Sequence, residues 1–203
     1  MRNYFIVFEG PDGVGKTTII NALAGILEKE NLSVEIVNTG VEFIDNAISE
    51  LKNPKNSLYD FNAHFLLATS NSILTYKHKN NFSLNTIYLV DRYIYTTIVY
   101  NCALGFDFKL AEQISKLVPV PDMVFLCCLD TSILLERKKQ IESIEVGFKD
   151  VNQKNYIDYQ NEVIKYYDKL CNINDNFVKI NTESLENALN YIKFNILKLI
   201  KEK

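Results

Sequence analysis

The sequence predicts an α/β fold, a five-stranded parallel sheet with helices on both faces and a short lid. Three observations predict it. Strand-like and helix-like segments alternate, as they must where each parallel strand is reached by a helical crossover. The fourth strand, Met123 to Leu129, reads as a continuous apolar run, the mark of a strand buried on both faces. A glycine-rich turn, Gly10-Pro11-Asp12-Gly13-Val14-Gly15-Lys16-Thr17, joins the first strand to the first helix. A chain of 203 residues can bury a sizeable core, and residues 1–203 read as a single domain with no linker or repeat.

The elements follow in order. Tyr4 to Phe8 is the first strand. Thr17 to Leu27 is a helix, with Ile19, Ile20, Leu23, Ile26 and Leu27 at helical spacing. Ser33 to Val37 is the second strand, and Phe43 to Leu51 a short helix ending near Asn53-Pro54. Tyr59 to Tyr76 is a longer helix carrying Phe61, Phe65, Leu66, Ile73 and Leu74. Thr86 to Val90 is the third strand, followed at once by Asp91-Arg92-Tyr93. Helices cover Tyr93 to Cys102 and Lys109 to Leu117, before Pro119-Val120-Pro121 breaks the chain. Met123 to Leu129 is the fourth strand, and Ser132 to Ile141 is helical. Glu142 to Tyr156 is polar and irregular around Gly147, within a lid at about 136–158. Helices at Asp158 to Leu170 and Leu185 to Ile200 flank the fifth strand, Phe177 to Ile180.

The turn has the P-loop form G-x-x-x-x-G-K-[ST]. Such a loop aims backbone N–H groups at nucleotide phosphates, its lysine reaches the outer phosphates, and its threonine hydroxyl meets Mg²⁺. Gly10 to Thr17, together with Thr18, are therefore the candidate triphosphate-binding residues, and the fold reads as that of a P-loop NTPase. Asp91 ends an apolar strand, where a carboxylate helps hold Mg²⁺ or its water. Arg92 follows it, a bidentate partner for phosphate, although a solvated ion pair at a strand end is the plainer alternative. Glu136-Arg137-Lys138-Lys139 closes a helix and enters the polar stretch. Cations suit a helix C-terminus in any case, and they also suit a lid closing over ATP.

Composition excludes several classes. A formal charge of -3 gives no nucleic-acid surface, so the nucleotide is a small molecule. No apolar run spans a bilayer and no signal peptide is visible. Cys102, Cys127, Cys128 and Cys171 form no C-x-x-C and read as buried thiols of a cytoplasmic protein. His64 and His78 are isolated, and no metal cluster suggests itself. Neither N-K-x-D nor D-x-x-G occurs where a GTPase would have them.

Phe8-Glu9-Gly10-Pro11-Asp12-Gly13-Val14-Gly15-Lys16-Thr17-Thr18, then Asp91-Arg92-Tyr93, then Pro121-Asp122 before a strand ending in Leu129-Asp130, resemble the thymidylate kinase family. The resemblance implies γ-phosphoryl transfer from ATP to dTMP with Mg²⁺ in a homodimer. It implies that Lys16 and Thr17 hold the ATP phosphates and Mg²⁺, and that Asp12 contacts the 3′-hydroxyl of the monophosphate. By the same resemblance, Arg92 would grip the acceptor phosphate, Tyr100 would lie beside the sugar 2′ position, and Thr96 and Thr97 would lie near the base. Of Arg137, Lys138 and Lys139, Arg137 is the foremost candidate for a lid cation, because Gly13 stands where some members carry a P-loop arginine.

The chain departs from the family in its acceptor half. The segment Asn38-Thr39-Gly40-Val41-Glu42 has no arginine where the family has one for the acceptor phosphate. Leu67 and Asn71 stand where the family has a stacking Phe and a base-reading Arg, and Phe65 serves as the ring only with a shifted register. Each lost charge-assisted contact is worth about 1.5–3 kcal/mol. Two other readings stay open: a P-loop kinase for another acceptor, with Glu9 as base toward a nucleoside hydroxyl, and a nucleotide-binding relative without catalysis.

Overall fold

β1 (Tyr4–Glu9) runs through the middle of a five-stranded sheet in the computed structural model, which describes residues 2–38, 40–53, 60–78, 85–138 and 140–202. With β2 (Ser33–Asn38), β3 (Thr86–Asp91), β4 (Met123–Cys128) and β5 (Phe177–Asn181), the order is β2-β3-β1-β4-β5, and every neighbouring pair is parallel. The helices are α1 (Lys16–Lys29), α2 (Glu42–Lys52), α3 (Phe61–His78), α4 (Ile94–Ala103), α5 (Phe108–Ser115), α6 (Thr131–Arg137), α7 (Gln153–Ile173) and α8 (Leu185–Glu202).

Alternation along β1 builds two cores. Ile6 and Phe8 join Ile19, Leu23 and Leu27 of α1 and Ile192 and Ile196 of α8 on one face. Val7 joins Phe65 of α3, Ile98 of α4 and Val163 of α7 on the other. Each such side chain contributes roughly 1.5–3 kcal/mol by leaving water, so a continuous apolar strand is stable only when covered on both sides.

The register positions the site. Phe8 pairs with Asp91 of β3, and Glu9 with Leu126 of β4, so the chain leaves β1 level with the end of β3. Gly10 turns there with φ 136°, and a Cβ on it would lie 2.4 Å from the Cys127 carbonyl oxygen of β4. Only glycine fits so close to a neighbouring strand.

The largest differences from the sequence reading lie at 132–158. α6 ends at Arg137, and Lys138 is already extended. Within the stretch read as irregular, Ser143–Val146 forms a 3-10 turn closed by reciprocal bonds between Glu142 and Glu145. α7 begins at Gln153, five residues before Asp158, because the Asn152 side chain caps it, accepting from Asn155 N at 2.9 Å. The connection between α6 and α7 thus spans 138–152. Tyr59, where the longer helix was placed to begin, lies outside the described residues.

Candidate active site

Lys16, in the first turn of α1, is buried and folds back on the loop before it. Its ammonium donates to the carbonyl oxygens of Gly10 at 2.9 Å and Pro11 at 2.8 Å. Burial, with the charge of Arg92, pulls its pKa down to about 8 against the opposing pull of Asp12 and Asp91. An anion in the loop restores the charge that burial disfavours. Val14 is in the core, Gly15 caps α1, and Gly13 and Thr18 are exposed.

Thr17 Oγ1 donates to Asp91 Oδ2 at 2.8 Å, joining α1 to the end of β3. A hydroxyl and a carboxylate are oxygen donors of the kind a hard cation takes, and Mg²⁺ held through phosphates needs only one or two protein ligands. The pair therefore fits Mg²⁺. Among the described residues there is no cluster of three or more His, Cys, Asp or Glu side chains suited to a metal.

Arg92 adopts φ 67°, a left-handed conformation that costs a non-glycine residue about 1 kcal/mol or more. Glu9 holds the turn that imposes it. The Glu9 carboxylate is fully buried and accepts from Tyr93 N at 2.9 Å, Thr96 N at 3.1 Å, the Thr96 hydroxyl and the Tyr167 hydroxyl at 3.0 Å. Burial still raises its pKa, outweighing these donors and Arg92. Tyr167 in turn accepts from Gly10 N at 3.3 Å, so one buried carboxylate ties the P-loop to the Arg92 turn.

The Arg92 side chain reaches across to the P-loop. It donates to Asp12 and, at 2.9 Å, to Thr96 Oγ1, and it lies 5.8 Å from the centre of the Tyr100 ring. Burial opposes its charge, yet Asp12 outweighs that and keeps it firmly protonated. Asp12 correspondingly titrates below its ordinary value: burial pushes the other way, but Arg92 and Lys16 prevail.

These residues form one wall of a cleft of about 410 Å³, together with Thr97 and Tyr100 of α4. The facing wall is Asp45, Ile48 and Lys52 of α2, with His64, Ala68 and Asn71 of α3. Ile144 and Glu145 of the 3-10 turn also line it. Positions 64, 68 and 71 share a helix face, so α3 turns Ala68 to the cleft, and Leu67 does not line it. Phe65 is buried on the other side, stacked on Phe106 at 4.2 Å.

Asn71 is engaged at both ends. Its Oδ1 accepts from Val41 N and its Nδ2 donates to Asp45 Oδ1, both at 2.8 Å. It fastens the loop after β2 to α3, aided by Thr75, which accepts from Gly40 N at 3.1 Å. Gly40 has φ 140°, and a Cβ there would fall 2.1 Å from Asp45 Oδ2. A side chain at position 40 would therefore require Asp45 to shift.

Lid-side charges are divided. Arg137 is exposed at the end of α6 and does not line the cleft, Lys138 pairs with buried Glu145, and Lys139 lies outside the described residues. Gln160 donates to the Glu145 carbonyl at 3.2 Å, anchoring the turn to α7.

His64, Lys52, Asp45 and Glu145 were missed by sequence reasoning. Asp45, Ile48 and Lys52 repeat at i, i+3 and i+7, a signal visible once the short helix is drawn on a wheel. His64 Nδ1 lies 3.0 Å from Asn101 Oδ1, and Asn101 Nδ2 donates to the Thr97 carbonyl at 2.7 Å. That orientation makes Asn101 Oδ1 an acceptor and puts the neutral ring's proton on Nδ1. Burial and the nearby Lys52 pull the His64 pKa down to about 4, with Asn101 opposing.

The family model described as thymidylate kinase matches residues 8–192. A probable thymidylate kinase of Methanosphaera stadtmanae is 30% identical over 208 residues, covering 97% of this chain and 99% of that protein. A probable thymidylate kinase of Pyrococcus abyssi is 32% identical over 151 residues, 68% of this chain and 71% of that one. A probable thymidylate kinase 2 of Saccharolobus solfataricus is 26% identical over 193 residues, 89% and 88% of the two chains.

Proposed function

The chain belongs to the thymidylate kinase family of nucleoside monophosphate kinases, phosphotransferases by activity, and on that premise we propose that it converts dTMP to dTDP with ATP and Mg²⁺. The observation that carries this reading is Arg92 at the end of β3 paired with Asp12 inside the P-loop, one contact spanning the donor loop and the acceptor cleft.

In this reading Lys16 leaves the Gly10 and Pro11 carbonyls for the outer phosphates of ATP. Thr17 and Asp91 hold Mg²⁺, which when bound neutralises phosphate charge. Gly10 to Thr18 form the ATP cradle. Arg92 holds the acceptor phosphate in the orientation that Glu9 and Thr96 fix, and Asp12 accepts from the 3′-hydroxyl. Tyr100 crowds the sugar 2′ position, and Thr97, His64 and Ala68 line the way to the base. Asn71 supports the loop rather than reading the base. Phosphoryl transfer asks mainly for positioning and charge stabilisation, which these groups supply. Arg137, exposed at the root of the 138–152 connection, brings the lid's positive charge when the lid closes.

Glu9 weighs against a nucleoside acceptor. A base for a 5′-hydroxyl needs a free carboxylate edge. Glu9 is buried, saturated by its donors and absent from the cleft lining. The same reading makes the chain a single-domain, cytoplasmic homodimer. Exposed Phe43 on α2 and Leu66 on α3 offer apolar surface for a partner copy, and no described helix is long and apolar enough to cross a membrane.

The test is ADP release from Mg-ATP with a panel of deoxynucleoside monophosphates, ribonucleoside monophosphates and deoxynucleosides. dTMP should give the fastest turnover. Turnover with deoxynucleosides alone, or ATP binding without any turnover, contradicts the proposal.

A further inference from the structure

The cleft is short of free positive charge for the substrate it is read to take. It carries the carboxylates of Asp12, Asp45 and Glu145. A nucleoside monophosphate brings about two further negative charges at neutral pH. Arg92 is shared between Asp12 and Thr96, and Lys138, beside the cleft, is paired with Glu145. The loop after β2 supplies no cation, and Asp45 occupies the space a side chain at position 40 would need.

Lys52, in the last turn of α2, lines the same cleft and forms no ion pair with any described residue. Its ammonium is in electrostatic reach of Asp12, Arg92 and Glu142, and its charge is also felt at His64 on α3. Burial pulls its pKa below the ordinary lysine value, and an anion beside it reverses that pull. A lysine near a helix C-terminus is otherwise unremarkable, since it complements the helix dipole. That role does not require the side chain to line a cleft beside Arg92.

We infer that Lys52 binds the phosphate of the acceptor alongside Arg92, and so makes the enzyme prefer a nucleoside monophosphate over the nucleoside. The inference rests on the monophosphate-kinase reading above. Lys52 reaches the site from α2 and Arg92 from β3, so the phosphate is clasped from both walls of the cleft.

The experiment compares wild type, Lys52→Met, Lys52→Gln and Lys52→Arg for binding of dTMP and of thymidine by calorimetry, with kcat, KM and Tm alongside. Met keeps the apolar stem, Gln keeps hydrogen bonding, and Arg keeps charge. The expected result is a ten- to hundredfold weaker Kd for dTMP in the Met and Gln variants. Thymidine binding and Tm should be unchanged, and Arg should recover most of the loss. Equal losses for dTMP and thymidine, or no loss for either, overturn the inference. If wild type phosphorylates a different monophosphate, the dTMP assignment fails separately, and the same comparison with that nucleotide and its nucleoside still decides the role of Lys52.

Discussion

Beside one wall of the cleft, Glu9, Asp12, Asp91 and Arg92 come from the ends of two hydrogen-bonded strands and the turns that leave them, and Lys16 from the first turn of α1; of these, Asp12 and Arg92 line the cleft. On the other, Asp45, Lys52, His64 and Asn71 come from two helices separated by a segment outside the described residues. The first wall is fixed by strand register and by a buried carboxylate. The second depends on how α2 packs on α3 through Asn71. The P-loop lysine and the Arg92 turn thus rest on strand ends, while the facing wall of the acceptor cleft rests on helix packing.

The largest expected effect comes from the first wall. Arg92→Ala should lower kcat/KM for the acceptor by about a thousandfold. ATP affinity, measured by calorimetry, should stay within about threefold, because Lys16 and the loop remain. Near wild-type turnover would remove Arg92 from its assigned role.

The second wall should show itself through pH. His64 titrates near 4 when folded but at its ordinary 6.5 when unfolded. The unfolded chain therefore binds more protons between those values, and stability falls as pH drops from 6.5 to 4. The effect is at most roughly 3 kcal/mol across that window. Urea midpoints against pH should be flatter in His64→Gln than in wild type, and parallel curves would contradict the assignment.

A smaller effect is expected where the walls meet the scaffold. Glu9→Gln replaces a carboxylate oxygen that accepts from Thr96 and Tyr167 with a donor, and should cost about 1.5–3 kcal/mol in urea unfolding. It should also lower kcat more than it weakens ATP binding, since Glu9 sets the Arg92 turn. An unchanged kcat would show that the turn holds without it. Gly40→Ala should destabilise by about 1–2 kcal/mol, through a positive φ and the clash with Asp45. A neutral result in thermal unfolding would mean that the loop relaxes freely.

The same division explains what the sequence made legible. All five strands and the P-loop were readable because each rests on local patterning: short runs rich in apolar residues alternating with helical segments, glycines, and a lysine at fixed spacing. Asp91 and Arg92 were readable because they directly follow a strand. Lys52 and His64 were not, since a lone lysine or histidine gives no local sign of the cavity it faces. Leu67 and Asn71 stand where the family has its Phe and Arg, but the cleft side of α3 is decided by its packing, which turns Ala68 inward and engages Asn71 with the loop after β2 and with Asp45 of α2. The early start of α7 was hidden by the polarity of 152–157, where a capping Asn152 looks like loop.

The most direct test of the account is phosphorus NMR of wild-type protein with Mg-ATP and dTMP. The account predicts loss of the ATP γ-phosphate signal and growth of dTDP in step with ADP. Loss of the γ-phosphate only when thymidine replaces dTMP, or no dTDP at saturating ATP and dTMP, would contradict it.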